Sequence, residues 1–206
     1  MELEIEIREI RKKDYKKAIQ FAITGMHFNL YLDSRFLLNI YGRYFWYDEL
    51  NCATQVLAAY EGDELAGVLL ANMNDEKKKY RTVGKIMFTK MFDFIQNVFY
   101  KGGVGVYEEA NNEMFEEYKK DNAPDGQIVF LAANPAGTVK GVGSRLLAEL
   151  EDRERGRQVY LYTDDACTYQ FYEHRGFKRA GEKDIIMQLG SKKVPLKCML
   201  YSKKIK

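Results

Sequence analysis

Cysteine is scarce in this chain. Cys52, Cys167 and Cys198 are the only three in 206 residues, and an odd, widely spaced set matches neither a disulfide framework nor a CxxC-type zinc site. Histidine is scarcer still, with His27 and His174 alone, too few to make a metal set. Long apolar runs are missing too. No segment reaches the ~18 uninterrupted apolar residues of a membrane span, and the opening MELEIEIREIRKKD alternates charged and apolar residues where a secretory leader would be apolar. Nor does one sign of charge dominate: 32 Lys and Arg stand against 30 Asp and Glu, for a formal charge of +2. The two signs are mixed along the chain, which leaves no nucleic-acid footprint, and the basic end 203-KKIK-206 reads as a solvated tail. The expectation is a soluble, cytoplasmic protein in a reducing compartment, with no metal, nucleic acid or membrane among its partners.

What is present points to a packed domain. Apolar residues make up 46% of the chain and aromatics 14%, with fifteen tyrosines, enough for a sizeable core at a length near the upper end of the single-domain range. Residues 3–9 alternate with period two and predict a strand, after which Asp14 caps a helix through Phe21 or Thr24. A second helix follows Asp33 or Ser34 over 35–50, interrupted by Gly42. The run 55–72 reads as a hairpin turning at 61–64. Helical spacing over 76–100 and 107–120, split by the breaker 102-GGVG-105, marks a helical insertion at about 75–125. A turn at 122–126 then leads to a buried-type strand over 127–133, a helix from Ser144 to about Arg155 and a strand over 157–163. A short helix lies around 166–176, and two strands close the chain over 183–203.

Directly behind the apolar strand 128-IVFLAA-133 comes 135-PAGTVKGVGSRLLAELE-151. Gly141-Val142-Gly143-Ser144-Arg145-Leu146 puts leucine where a dinucleotide fingerprint has its third glycine, and no glycine is followed by Lys and then Ser or Thr as a P-loop requires. Both nucleotide readings weaken. What survives is a strand-to-helix turn whose backbone N–H groups face outward at a helix N-terminus, with Gly141 and Gly143 permitting close approach of an anion such as a pyrophosphate. Lys140 adds a point charge worth roughly 0.3 to 1 kcal/mol if exposed. An ordinary glycine-containing turn is the alternative.

Glycines six and eight positions after Pro135, flanked by that strand and that helix, resemble the acetyl-CoA signature of the GNAT N-acetyltransferase superfamily. Downstream, 165-DACTYQFYEHRGF-177 resembles the family's second element, with Asp165, Thr168, Tyr172, Gly176 and Phe177 on its positions. Thr138 stands where the family has Gln or Arg, and Asp165 where it has Asn. The resemblance implies a single α/β (α+β) domain over 1–206 with the GNAT fold, a mixed, strongly bent sheet of six to seven strands with helices on both faces. It further implies an acetyl-CoA cosubstrate held by Leu131, Ala132 and Ala133 at the end of a strand splayed from its neighbour. The loop Thr138, Val139, Lys140, Gly141, Val142, Gly143 and Ser144, with Asp165 and Thr168, completes the implied binding set.

The implied activity is direct transfer of an acetyl group to a primary amine of a small molecule, peptide or protein, with Tyr172 as the general acid for the departing thiolate. Ala132, Ala133 and Tyr172 also have a plain reading as packing residues. The general base stays unassigned: Asp125 lies in the turn before the strand, Gln127 begins it, and Glu108 and Glu109 read as a solvated helix face. Cys167 and His174 are seven residues apart on one helix, ~10 Å at 1.5 Å per residue, beyond hydrogen-bond reach. The aromatic cluster Tyr41, Tyr44, Phe45, Trp46, Tyr47 is either core or, by family analogy, a border of the acceptor pocket. The alternative function is a CoA-binding module that no longer catalyses. The sequence leaves the oligomeric state open, with a homodimer among the assemblies it allows.

Overall fold

The computed structural model describes residues 5–30, 32–99, 104–189 and 192–206. Strand β1 (Ile5–Arg8) leads to helix α1 (Tyr15–Gly25) and helix α2 (Arg35–Cys52), then to the hairpin β2 (Gln55–Glu61) and β3 (Glu64–Met73). Helices α3 (Val83–Phe99) and α4 (Val104–Tyr118) follow, then β4 (Gly126–Ala133), α5 (Val142–Arg153), β5 (Gln158–Asp164), α6 (Gln170–His174), β6 (Lys178–Leu189) and β7 (Lys192–Lys204). The alternating and apolar patterns thus became strands and helices in the predicted order. Residues 3 and 4 of the first predicted strand, and 102 and 103 of the glycine breaker, lie outside the described residues.

Three local expectations need correction. Asp14 precedes α1 but makes no side-chain cap bond. Its carboxylate instead accepts from Arg11 Nε at 2.7 Å and from Tyr60 Oη at 2.8 Å, because an arginine and the phenol of a buried tyrosine compete better for it than a helix N–H. Gly42 does not interrupt α2. It is buried against α1, where a Cβ would come within 2.6 Å of Ile23 Cγ1, so the missing side chain serves the crossing of the two helices. The 76–100 segment becomes helical only from Val83.

The sheet has seven strands in the order β1-β2-β3-β4-β5-β7-β6, and among its described pairings only β4 with β5 is parallel. On one face α5 lays Val142, Leu146, Leu147 and Leu150 against Leu69, Ile128, Leu161 and Tyr201, a helical i, i+4, i+5, i+8 stripe. Each such side chain contributes ~1.5–3 kcal/mol on burial. On the other face α1 and α2 cover β2, β3 and β4 through Phe21, Trp46, Leu50, Leu70 and Phe130. Beside them α4 covers the C-terminal half of the sheet through Met114, Tyr118, Cys198 and Leu200. Helix α3 packs on α2, with Phe88 edge-on to Tyr47 at 5.6 Å and Phe92 stacked on Tyr44 at 4.3 Å. None of the described helices is long and apolar enough to cross a membrane.

Candidate active site

Strand β4 is bonded to β3 along its whole length, from Met73↔Gly126 to Gly67↔Ala133. Its pairing with β5 is confined to Gly126↔Val159 and Gln127↔Tyr160. Beyond Gln127 the two strands part. β5 follows antiparallel β7 from Gln158↔Lys204 to Asp164↔Cys198, so the N-terminal and C-terminal halves of the sheet diverge. The β5-facing backbone groups of β4 from Ile128 to Ala133 are therefore left without a strand partner, an edge that attracts polar ligands. The register along β3 steps from Leu70↔Phe130 to Ala71↔Ile128, which makes Val129 an extra, bulged residue on β4 that redirects the backbone.

The closed end of this split is pinned. Asp125 N–H donates to Gln158 O and Gln158 N–H to Asp125 Oδ2, both at 2.7 Å, and Tyr160 Oη donates to Gln127 Oε1 at 3.2 Å. Asp125 and Gln127, considered from sequence as neighbours of the missing base, are both engaged there. The open end lies beneath the end of α1: a Cβ on Gly25 would be 3.6 Å from Ala132 Cβ, and Cys167 Sγ donates to Gly25 O at 3.8 Å.

Next to the open edge stands the head of α5. Asn134 N–H reaches Ala66 O at 2.7 Å and Gly137 N–H folds back to Asn134 O at 3.0 Å, while Asn134 Oδ1 accepts from Ala136 N at 3.1 Å. Gly141 ends this loop at φ 77°, ψ 10°, a left-handed conformation that costs other residues roughly 1–2 kcal/mol. The first helical bond runs from Arg145 N to Gly141 O at 3.0 Å, so the N–H groups of Val142, Gly143 and Ser144 form the electropositive helix end. Helix and split touch because β3 carries Gly67: a Cβ there would lie 2.6 Å from Val142 Cγ1 and 3.0 Å from Ala132 O. Thr138, Lys140 and Gly141 are exposed, whereas Val139 packs on the core. Arg175 donates to Ser144 Oγ and lies over the Phe171 ring.

The second sequence element folds as the loop after β5 and α6. The Tyr172 ring packs edge-on to Phe171 at 5.3 Å and Phe177 at 5.7 Å, and among the described residues its hydroxyl has no hydrogen-bond partner. Burial, and secondarily Cys167, pushes this phenol above its ordinary value. Cys167 itself is pushed up to about 12 by burial and then Asp164, the reverse of what a nucleophilic thiol needs, while His174 is exposed. Asp165 Oδ1 accepts Lys197 N at 2.9 Å, so one of its oxygens serves β7. Thr168 is exposed, and its carbonyl accepts Phe171 N at 3.2 Å.

On the face opposite α5 the split runs between α2 and α4, and its surroundings are acidic. Burial and Asp48 push the Glu49 carboxyl up to about 8. Asp48 is raised by burial, Asp93 and Glu108, Glu108 by burial and Asp93, and Tyr41 up to about 12 by burial, Glu108, Glu49 and Asp48. Carboxylates of α2, α3 and α4 thus feel one another, and Tyr44 Oη donates to Asp93 Oδ1 at 2.6 Å. Sequence reasoning missed Glu49, Asp48 and Asp93, which carry no shared local pattern. It named the aromatic cluster, which the fold divides: Trp46 is fully buried and Phe45 packs on Phe28 and Phe130, while Tyr41 and Tyr44 meet Phe92 of α3. Among the described residues no group of three His, Cys, Asp or Glu is arranged to hold a metal ion.

No protein-family model and no curated protein sequence matches this chain. Solved structures do. One is the histone acetyltransferase HPA2 and related acetyltransferase of Corynebacterium glutamicum, 14% identical at TM-score 0.55 over 95% of this chain and 94% of that one. A second is the PaiA N-acetyltransferase of Thermoplasma acidophilum in complex with coenzyme A, 16% identical at TM-score 0.52 over 98% and 99%. A third is YncA of Salmonella typhimurium with its cofactor acetyl-CoA, 14% identical at TM-score 0.50 over 98% and 94%. The architecture of this chain, with its divided β4–β5 pair and the glycine-headed helix beside it, is the GNAT acetyltransferase fold.

Proposed function

We propose that this protein is an N-acetyltransferase that moves an acetyl group from acetyl-CoA directly to a primary amine. The observation that carries the reading is the meeting of two features. β5 leaves β4 beyond Gln127, and the left-handed Gly141 opens α5 beside that bare edge. An extended pantetheine amide chain suits the unpaired backbone of Leu131, Ala132 and Ala133, as an added strand would. A pyrophosphate suits the N–H groups from Gly141 to Ser144, with Thr138, Val139 and Lys140 forming the near wall. Structures with the same fold that hold coenzyme A and acetyl-CoA support the donor.

In the proposed reaction a neutral amine attacks the thioester carbon, the C–S bond breaks, the amine sheds a proton and the thiolate gains one. Backbone N–H groups on the bulged β4 edge supply fixed dipoles for the transient oxyanion, which need no reorganisation as charge develops. Tyr172 faces the thiolate as proton donor. Its phenol, held above the ordinary value, is a weaker acid than a thiol of pKa ~8.5, so transfer is uphill by at least ~2 kcal/mol. Its contribution therefore lies at the low end of general-acid effects, ~10²-fold. The acidic groups between α2 and α4 favour an incoming cationic amine, and Glu49, pushed up to about 8 by burial and Asp48, becomes a proton acceptor as pH rises toward that value.

Acetyl-CoA should raise the melting temperature, and Gly143→Asp should abolish that rise. A Cβ at Gly143 would make ordinary 3.6 Å contact with Phe171, and an acidic residue in the first helical turn favours the helix, so the fold survives while phosphate is repelled. Equal shifts in both proteins would sink the loop assignment. Binding with no thiol release across an amine panel would favour the non-catalytic module.

A further inference from the structure

Helix α3 presents two different faces. Phe88 and Phe92 turn toward α2, but Val83, Met87, Met91 and Phe94 are 74%, 67%, 55% and 69% exposed. They sit at i, i+4, i+8 and i+11, one continuous apolar line along the helix. An exposed line of this kind is unfavourable in water and marks an association surface. The charges around it name the occupant. The chain entering α3 carries Lys77, Lys78, Lys79 and Arg81, all exposed, and among the described residues none of the four is in an ion pair. Beyond the other end of α3, the first turns of helix α4 carry Glu109, also exposed and likewise without an ion pair among the described residues.

We propose that this face joins two copies of the chain, their α3 helices packed antiparallel about a two-fold axis between Met87 and Met91. Antiparallel packing lays Met87 of each copy near Met91 of the other. It also carries the basic entry of one α3 to the end of the other, where the acidic start of α4 lies. Each apolar and each ionic contact then occurs twice, as a two-fold interface requires. Four side chains more than half exposed supply on the order of 400 Å² per copy, about half of the ~800 Å² typical of a stable partner surface, and the flanking charged segments supply the rim. An anionic membrane would satisfy the lysines but be repelled by α4, whose Glu109, Glu113, Glu116 and Glu117 are exposed.

Sedimentation equilibrium of the full chain tests this. The wild type should show twice the 24.0 kDa chain mass. Met87→Asp combined with Met91→Asp should return the single-chain mass with unchanged far-UV circular dichroism. Lys78→Glu should raise the dimer Kd about tenfold, ~1.4 kcal/mol, and adding Glu109→Lys should restore it. A wild type of single-chain mass at roughly 100 µM, a dimer indifferent to the methionine substitutions, or co-sedimentation of single chains with phosphatidylserine vesicles would each overturn the proposal.

Discussion

The bare β4 edge with the head of α5, and the acidic rim between α2, α3 and α4, are built on opposite principles. The first is backbone: unpaired strand groups, helix N–H groups and glycines, contributed mainly by one segment from Gly126 to Ser144. The second is side chains: carboxyls and phenols of α2 and α4, whose pKa values move because burial and neighbouring like charge, Asp93 of α3 included, act together. A backbone site tolerates many side chains and is broken by added volume. A side-chain site is broken by removing single atoms, and it responds to pH.

Substitutions can sharpen that contrast. The largest effect is expected from Tyr172→Phe, which should lower kcat about 10²-fold while leaving the acetyl-CoA thermal shift intact; a full-rate variant would assign Tyr172 to packing alone. Next comes Gly67→Ala, whose Cβ would press on Val142 at 2.6 Å and on Ala132 O at 3.0 Å. Overpacking of this kind costs ~1–3 kcal/mol, and because it pushes the α5 head from the sheet, calorimetry should find acetyl-CoA bound roughly tenfold more weakly.

On the acidic side, pH is the probe. Folded Glu49 keeps its proton up to about pH 8, against 4.5 for the ordinary group. The native state therefore holds more protons than the unfolded state between those values, and stability falls as pH rises across that window before levelling above it. Urea denaturation at several pH values should show this decline in the wild type and a flatter profile in Glu49→Gln; parallel profiles would remove Glu49 from the account. The smallest effect is expected from Tyr44→Phe, which deletes the bond to Asp93 and should cost ~0.5–1.5 kcal/mol without changing the donor-dependent thermal shift.

The same contrast explains what could be read in advance. The strand, the proline-to-glycine spacing and the amphipathic α5 are contiguous, so their pattern was visible before any tertiary contact. Glu49, Asp48 and Asp93 gave no signal, since a carboxylate on an amphipathic helix looks solvated until another helix covers it. Trp46 and Tyr44 lie two residues apart in one aromatic run, yet one is fully buried on the sheet and the other bonds to α3. The direction of a side chain around a helix axis separates them, and composition does not carry that direction.

By itself the sequence determined the order of strands and helices and the glycine-headed turn into α5, because propensity, periodicity and backbone freedom act over a few neighbouring residues. Tertiary structure alone decided that β5 should leave β4 for β7, that Gly67 should bring α5 against that opening, and that carboxylates from three helices should share a poorly solvated space. Those outcomes depend on which distant surfaces bury one another, and burial is a property of the assembled chain.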